Sequence, residues 1–155
     1  MGLEEVVLLR KSPWPPAKLS GFAKQGKAFE KAIAQALPSA MHNPWFQFKD
    51  ANGPGCCSPD ILLPIPQGIL CIEVKLTYCE EAQRQLSLLY LPILRKFFAR
   101  PVAGLVIVKS LGQGYAGPKP IHSLSQVFGG SAPWPCLLAP FGNRAHLKAQ
   151  LSLAP

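Results

Sequence analysis

Charged side chains interrupt a segment whose other residues are typical of buried β-strands. Residues 56–76 read CCSPDILLPIPQGILCIEVKL, and three of them, Asp60, Glu73 and Lys75, carry charge among apolar neighbours. A bare charge in a protein core costs on the order of several kcal/mol, so these side chains must be paired or must serve a function. This requirement constrains both the fold and the chemistry of the chain.

The segment predicts a β-hairpin with strands at 60–65 and 69–77, because PQG between them is a turn sequence. Side chains of the second strand alternate between two faces, one formed by Leu70, Ile72, Val74 and Leu76 and the other by Cys71, Glu73, Lys75 and Thr77. In a hairpin the first strand begins beside the end of the second. We therefore expect Asp60 to lie next to Glu73.

The pair Asp60 and Glu73 has the chemistry of a divalent-metal site. Adjacent carboxylates repel each other and stay ionised together only when a cation lies between them. Hard oxygen ligands suit Mg²⁺ or Mn²⁺. Lys75 shares a face with Glu73 and could orient water or neutralise charge developing on a phosphate. The alternative is an ion pair of Lys75 with one of the two carboxylates, which leaves the third charge unmatched.

A helix predicted at 22–37 supplies a further carboxylate. Its apolar stripe consists of Phe29, Ile33, Ala36 and Leu37, and Pro38 ends the helix. Glu30 falls on the inward edge of this stripe, beside Leu37. On the opposite side lie three bases, Lys24, Lys27 and Lys31.

The remaining regular segments complete an α/β pattern. WFQFKD at 45–50 predicts a strand, and ANGPG after it predicts a turn. Residues 80–100 predict a helix that Pro92 should bend or divide. The apolar run at 103–110 is typical of a buried strand.

We predict one domain spanning all 155 residues, with its core at about 20–110 and a mixed central sheet. Residues 111–155 form a C-terminal extension rich in Gly and Pro, with a short helix near 123–128. The fold class is therefore α/β.

The positive charge is concentrated in the second half of the chain. The net charge is +8, yet every acidic residue lies at or before Glu81, and 82–155 contain eight Lys or Arg and no acid. This asymmetry predicts a polyanionic partner, most simply nucleic acid. The alternative is a basic surface with no partner.

Several signals favour a cytoplasmic protein without a membrane partner. The first residues, MGLEEVVLLR, open with acids where a signal peptide needs bases, and no apolar run is long enough for a bilayer span. Five cysteines without a C-x-x-C pair predict reduced thiols. His42, His122 and His146 accompany no nucleophile pattern and are expected in the core or on the surface.

Two further patterns, one of glycines and one of aromatic residues, each have two interpretations. GQGYAG at 112–117 has the glycine spacing of a dinucleotide-binding turn, but Pro118 and Pro120 preclude a helix after it, so we expect no nucleotide cofactor and a mobile glycine loop near DNA. Five aromatic residues could stack on unpaired bases, although core packing is the expected role: Trp14, Trp45, Phe97, Phe98 and Trp134.

Pro59-Asp60, twelve intervening residues and Glu73-Val74-Lys75 together resemble the signature of the PD-(D/E)XK nuclease superfamily. Glu30 within GKAFEKAI is similar to the first motif of that family. The resemblance covers roughly residues 24–110 and implies a restriction-endonuclease-like core, α-β-β-β-α-β. It also implies hydrolysis of phosphodiester bonds to 5′-phosphate ends.

The resemblance implies a role for each matching residue. Asp60 and Glu73 would be metal ligands for Mg²⁺ or Mn²⁺, with the carbonyl of Val74 as a third ligand. Lys75 would position or activate the attacking water. Glu30 would bind a second metal, or the first through water.

Among branches of the family, the chain most resembles archaeal and phage Holliday-junction resolvases, because it is small, basic and has an early GKAFEK helix. That branch implies a homodimer that cuts four-way or branched DNA during recombination or repair, in a bacterial or archaeal cell or encoded by a phage. QLSLLY at 85–90 resembles the Gln-x-x-x-Tyr motif of exonuclease branches, with one residue more. Replication-repair, flap and restriction nucleases are further alternatives, and so is a non-catalytic DNA-binding module.

Candidate DNA contacts lie on both predicted helices. The polar and basic set comprises Lys27, Gln83, Arg84, Gln85, Arg95 and Lys96. A solvated helix surface is the alternative explanation for each of them.

Overall fold

The fold is described from a computed structural model, which covers residues 2–16, 18–129, 135–140 and 144–152. Eight strands and four α-helices occur there, with one π-helical turn and one 3₁₀ segment. In chain order they are β1 Glu5–Leu9, α1 Gly21–Gln35, β2 Met41–His42, β3 Trp45–Asp50, β4 Gly53–Cys57, β5 Ile61–Ile65, β6 Gly68–Thr77, α2 Glu80–Gln85, the π turn Leu86–Tyr90, α3 Leu91–Phe98, β7 Val102–Ser110, the 3₁₀ segment Leu124–Gly129, β8 Cys136–Leu138 and α4 Arg144–Gln150.

The central sheet is mixed, as predicted, with strand order β2-β5-β6-β7-β8. The predicted hairpin forms its middle: β5 and β6 are antiparallel, and Ile61 pairs with Ile72 while Ile65 pairs with Gly68. β7 and β8 then continue in parallel to β6. The β6–β7 pair requires a crossover, and the helical segment from α2 to α3 provides it.

A second sheet, with order β1-β3-β4, was not predicted. Strand 45–50 forms as expected, but it belongs to this small sheet instead of the central one. Residues 53–55, expected as part of the turn ANGPG, instead belong to β4, Gly53–Cys57. Gly55 pairs with Phe48, and a side chain on Gly55 would come within 2.6 Å of the Phe48 ring. The absence of a side chain at Gly55 therefore leaves room for the ring of Phe48.

The faces of β6 alternate as the sequence predicts. Leu70, Ile72 and Val74 pack with the apolar stripe of α1, including Phe29 and Ile33. Cys71 lies on the other face, in a second apolar cluster built mainly from the α2–α3 segment, β7 and the small sheet. The sheet is therefore covered on both faces.

The helix predicted at 80–100 is divided just before Pro92. A π turn at Leu86–Tyr90 separates α2 from α3, and the N–H of Leu91 donates to the carbonyl of Leu86, five residues back. Pro92 follows in the first turn of α3. A proline ring clashes with the carbonyl four residues before it, and one extra residue in the preceding turn relieves that clash.

None of the helices in the part of the chain that the structure describes combines the length and apolarity needed to cross a bilayer.

The substitution Gly68→Ala is expected to destabilise the protein by about 2–4 kcal/mol. Gly68 begins β6 with φ 150°, and an added Cβ would collide with the backbone carbonyl of Pro101. Urea denaturation measures the loss. Gly26→Ala is the matched control, because Gly26 lies in α1 with open space around it and should gain about 0.5–1 kcal/mol. Equal effects of the two substitutions would contradict the role of this close approach.

Candidate functional site

Asp60 and Glu73 lie next to each other at the end of the β5–β6 hairpin, as the sequence predicts. The backbone N–H of Asp60 donates to Oε1 of Glu73 at 3.3 Å. The backbone N–H of Val74 donates to Oδ2 of Asp60 at 2.8 Å. Each carboxylate is thus oriented by a backbone N–H from the opposite side of the hairpin. The described contact of the Val74 peptide is through its N–H, so a role for its carbonyl stays a prediction.

Glu30 reaches the same place from α1. It is 4 % exposed, which agrees with its predicted inward position. Oε2 of Glu30 lies 3.1 Å from Nζ of Lys27, and it accepts a hydrogen bond from Nδ2 of Asn43 at 3.0 Å. Nε2 of His42 is 2.7 Å from the same oxygen. Glu30 is also close enough to Asp60 for each carboxyl group to shift the pKa of the other.

Asn43 links the main chain of Asp60 to the carboxylate of Glu30. Its N–H donates to the carbonyl of Asp60 at 2.8 Å, while its side chain donates to Glu30. The φ of Asn43 is 52°, a left-handed conformation that Asn tolerates better than most residues. Asn43 and His42 were not among the predicted site residues. The dipeptide Asn43-Pro44 is a turn signal that could have marked this position.

The three carboxyl groups cannot all ionise without a counter-charge. Burial, and then the charges of Glu73 and Glu30, raises the pKa of Asp60 to about 8. Burial also raises the pKa of Glu73 to about 7, although the N–H of Asp60 and the charge of Lys75 oppose the shift. Burial alone would raise the pKa of Glu30 as well, but hydrogen bonds with Asp60, His42 and Lys27 outweigh it and lower the pKa.

Lys75 is half-buried on the same side of β6 as Glu73. Among the described residues, the ion pairs within 4.0 Å join Lys27 and His42 to Glu30, and neither involves Lys75. The alternative reading, a structural ion pair of Lys75 with Asp60 or Glu73, is therefore not the arrangement found. Within the described ranges, no Lys or Arg side chain forms an ion pair with Asp60 or Glu73.

These residues fit a hard divalent cation in chemistry. Asp60 and Glu73 offer carboxylate oxygens, and the backbone hydrogen bonds described above engage one oxygen of each. Within the described ranges no group of three His, Cys, Asp or Glu side chains is arranged as a metal cage. Asp60 and Glu73 are thus the ligands that the geometry offers, with Glu30 linked through Asp60.

The nearby Cys57 is a poor ligand for such a cation. Cys56 and Cys57 end β4 beside the carboxylates, and all five cysteines are unpaired. Burial, followed by the charges of Cys56 and Glu73, raises the pKa of Cys57 to about 12. A thiol that stays protonated is a poor metal ligand.

An open groove of about 420 Å³ leads to Asp60. Lys27, Asn43, Ser58 and Tyr90 line it, together with two indole rings, Trp14 and Trp45. The prediction that these tryptophans belong to the core is wrong for Trp14, which is 63 % exposed. Phe97 and Phe98 are half-buried against Phe46, and Trp134 lies outside the described residues.

The π turn changes which residues of the segment Gln85–Tyr90 lie on the same face. A turn closed by bonds between residues five apart brings such residues to one face, as residues four apart are in an α-helix. The additional residue between Gln85 and Tyr90 is thereby compensated. The Tyr90 hydroxyl donates to the carbonyl of Ser58 at 3.3 Å and faces the groove, and Oε1 of Gln85 is buried without a hydrogen-bond partner.

The other predicted DNA contacts occupy different places. Gln83 and Arg84 line a shallow groove on α2. Arg95 and Lys96 are in the last turn of α3, where Arg95 donates to the carbonyl of Val102 at 3.2 Å. Val102 pairs with Ile69, four strand residues or roughly 13 Å from Glu73. Arg95 and Lys96 are therefore at the opposite end of the sheet from the carboxylates.

We expect Asp60→Asn to stabilise the metal-free protein near pH 8. The pKa of Asp60 is about 8 in the fold and near its ordinary 3.8 in the unfolded chain, so the folded state holds the extra proton between these values. The free energy of unfolding is therefore highest below the pKa of Asp60 in the unfolded chain, and it declines as the pH rises towards the pKa of Asp60 in the fold, about 8. The amide cannot ionise, so the melting temperature of the variant near pH 8 should be higher by roughly 5–10 °C.

Thermal unfolding in EDTA, from about pH 5 to about pH 9, measures this difference. Glu4→Gln serves as the control, because Glu4 is exposed and its substitution should leave the pH dependence unchanged. A melting temperature that falls in Asp60→Asn near pH 8 would contradict the repulsion among the three carboxylates.

Comparisons with known proteins assign no relative to this chain. No protein-family model matches it, and neither a curated protein nor a solved structure does. The site is therefore defined by its own residues: two carboxylates that each accept a backbone hydrogen bond across the hairpin, a third carboxylate close to Asp60, a lysine on the same strand as Glu73 and an open groove.

Proposed function

We propose that this protein is a divalent-metal-dependent DNA endonuclease whose reaction centre is the pair Asp60 and Glu73. The observation that carries the proposal is their arrangement: the buried Glu73 and the half-buried Asp60 each accept a backbone hydrogen bond across the hairpin, and no Lys or Arg side chain of the described residues forms an ion pair with either. Such an arrangement is costly in a structural role and useful for binding a cation. Lys75 beside them and the motif resemblance support hydrolysis of a phosphodiester.

The proposed roles follow from position. Asp60 and Glu73 would hold Mg²⁺ or Mn²⁺, which when bound stabilises negative charge on the phosphate and on the attacking oxygen. Lys75, on the same side of β6 as Glu73, would orient the attacking water with its ammonium group. Glu30 would keep Asp60 in place and could bind a second cation.

A restriction-endonuclease-like core is part of the proposal. The central-sheet elements follow one another as α1, β2, β5, β6, α2–α3 and β7, which supports the order α-β-β-β-α-β. The two-residue strand β2 would then take the place expected for residues 45–50, and the β3–β4 hairpin would be an insertion.

Branched DNA, such as a four-way junction cut by a homodimer in the cytoplasm, is the proposed substrate class. The net charge of +8 and the resemblance to junction resolvases support it. The DNA backbone near the cut would contact Lys27, which lies beside Asp60, and also Gln83 and Arg84 on α2. Arg95 and Lys96 would touch a more distant duplex arm.

A nuclease acting on ends or single strands is the second candidate. One observation favours it: the π turn compensates the additional residue between Gln85 and Tyr90, and Tyr90 faces the groove that leads to Asp60. The buried, unpartnered Oε1 of Gln85 would then have a polar group to bind.

Calorimetric titration with Mn²⁺ tests the metal site. We expect binding that weakens at least tenfold in Asp60→Asn and in Glu73→Gln, because each variant removes one charged oxygen ligand. Asp50→Asn is the control, since Asp50 lies in the small sheet and binds the N–H of Asn52. Affinity for Mn²⁺ that does not depend on Asp60 and Glu73 would refute the metal site.

Cleavage of labelled DNA tests the reaction. With Mg²⁺ or Mn²⁺, Lys75→Ala should lower the rate by about 10²–10⁴ without a comparable loss of Mn²⁺ affinity, and Lys31→Ala on the exposed side of α1 should not. Paired symmetric cuts in a four-way junction would establish a resolvase, and cuts only in flaps, ends or single strands would establish the second candidate. No cleavage of any substrate by folded, metal-binding protein would leave a non-catalytic DNA-binding module.

A further inference from the structure

A second groove adjoins the one that leads to Asp60. Its volume is about 560 Å³, and it runs along the end of β1 and the turn between β2 and β3. The two grooves share Asn43 and Trp45 as lining residues. Because they adjoin at these residues, the two are together named the aromatic groove, whose outer part lies beside β1 and whose inner part reaches Asp60.

The aromatic groove combines basic side chains with two indole rings, of which one is exposed. Arg10 and Lys11 line its outer part, both of them exposed, and Lys27 lies in its inner part. No acidic side chain lines the outer part, and Asp60 is the acidic lining residue of the inner part. Trp14 is 63 % exposed, and Trp45 is half-buried beside it in the lining.

Trp14 is held in a defined position although it is exposed. The hydroxyl of Ser12 accepts a hydrogen bond from the N–H of Trp14 at 3.1 Å and donates to its carbonyl at 3.2 Å. Pro13 and Pro15 on either side restrict the backbone. Leu9 pairs with Trp45, which fixes the start of this segment on the small sheet. Little backbone entropy would therefore be lost here on binding.

We infer that the aromatic groove binds a DNA single strand, with unpaired bases stacked on Trp14 and Trp45 and phosphates against Arg10, Lys11 and Lys27. A base exposes its face for stacking only when it is unpaired and unstacked from its neighbours, so an intact duplex cannot use the indole rings. Basic side chains along such aromatic platforms are the usual composition of a single-strand site.

This inference rests on the proposed function and specifies its substrate: DNA with an unpaired strand next to the cut. Flaps, open branch points and single strands meet this requirement, whereas a continuous blunt duplex does not. The strand would pass the segment that precedes α1 and reach Asp60 between Lys27 and Tyr90.

Fluorescence anisotropy tests the groove without any cleavage. The probe is a short fluorescein-labelled oligothymidylate, compared with a blunt duplex of the same length, each titrated with Glu73→Gln protein in EDTA. Trp14→Ala in this background should weaken single-strand binding about tenfold and leave duplex binding unchanged. Trp14→Phe should retain most of the affinity, because a smaller ring can still stack.

The basic side chains are tested by the salt dependence of the same binding. Replacing both Arg10 and Lys11 by Gln should reduce the slope of log K against log salt by about 1.4, since each phosphate contact on a single strand contributes roughly 0.7. The charge control is Arg144→Gln/Lys148→Gln on α4, which should leave the slope unchanged. Phe22→Ala is the aromatic control, because Phe22 is 83 % exposed and lines neither part of the groove.

The outcomes separate this inference from the proposed function. Single-strand affinity that is unchanged in Trp14→Ala, or that falls equally in Phe22→Ala, overturns the groove even if the protein cleaves DNA. Loss of single-strand affinity in Trp14→Ala alone supports the groove even if no cleavage occurs. Equal losses for single strand and duplex would also overturn it, because stacking would then not be the interaction removed.

Discussion

Two reciprocal hydrogen bonds at one end of the β5–β6 hairpin determine where every other part of the candidate site must be. The N–H of Asp60 binds Glu73, and the N–H of Val74 binds Asp60, so the two carboxylates are oriented by the sheet itself. Their burial raises the free energy of the folded state when no cation is present. A site with this cost in the metal-free protein is consistent with the proposal that a cation completes it.

The surrounding helices and strands supply the other residues of the site. The helix α1 covers one face of the central sheet and brings Glu30 to His42 and Asn43, the residues that end β2 and follow it, beside Asp60. The α2–α3 segment covers the other face, and its π turn places Tyr90 beside the site. The small sheet completes the groove with Trp45. The basic side chains in the grooves near the carboxylates thus come from the N-terminal half of the chain, although the excess of positive charge lies in the C-terminal half.

Predictions from the sequence succeeded where the signal lay within one segment. The alternation in residues 69–77 assigned both faces of β6 correctly, and the helical stripe placed Glu30 inward. They failed where pairing partners are distant: β1 and β4 have weak local signals and form because β3 pairs with both of them. Trp14 was expected in the core because most tryptophans are buried, but the Ser12 turn holds it outside.

The sequence by itself determined the hairpin, the position of its two carboxylates and the inward direction of Glu30, because each follows from periodicity and turn chemistry over a few residues. Only the tertiary structure decided that Glu30 meets Asp60, that Asn43 bridges them and that two grooves join beside Trp45. The physical reason is that these contacts link segments far apart in the chain. Their geometry depends on how α1 and the small sheet pack against the central sheet, and local periodicity does not encode that packing.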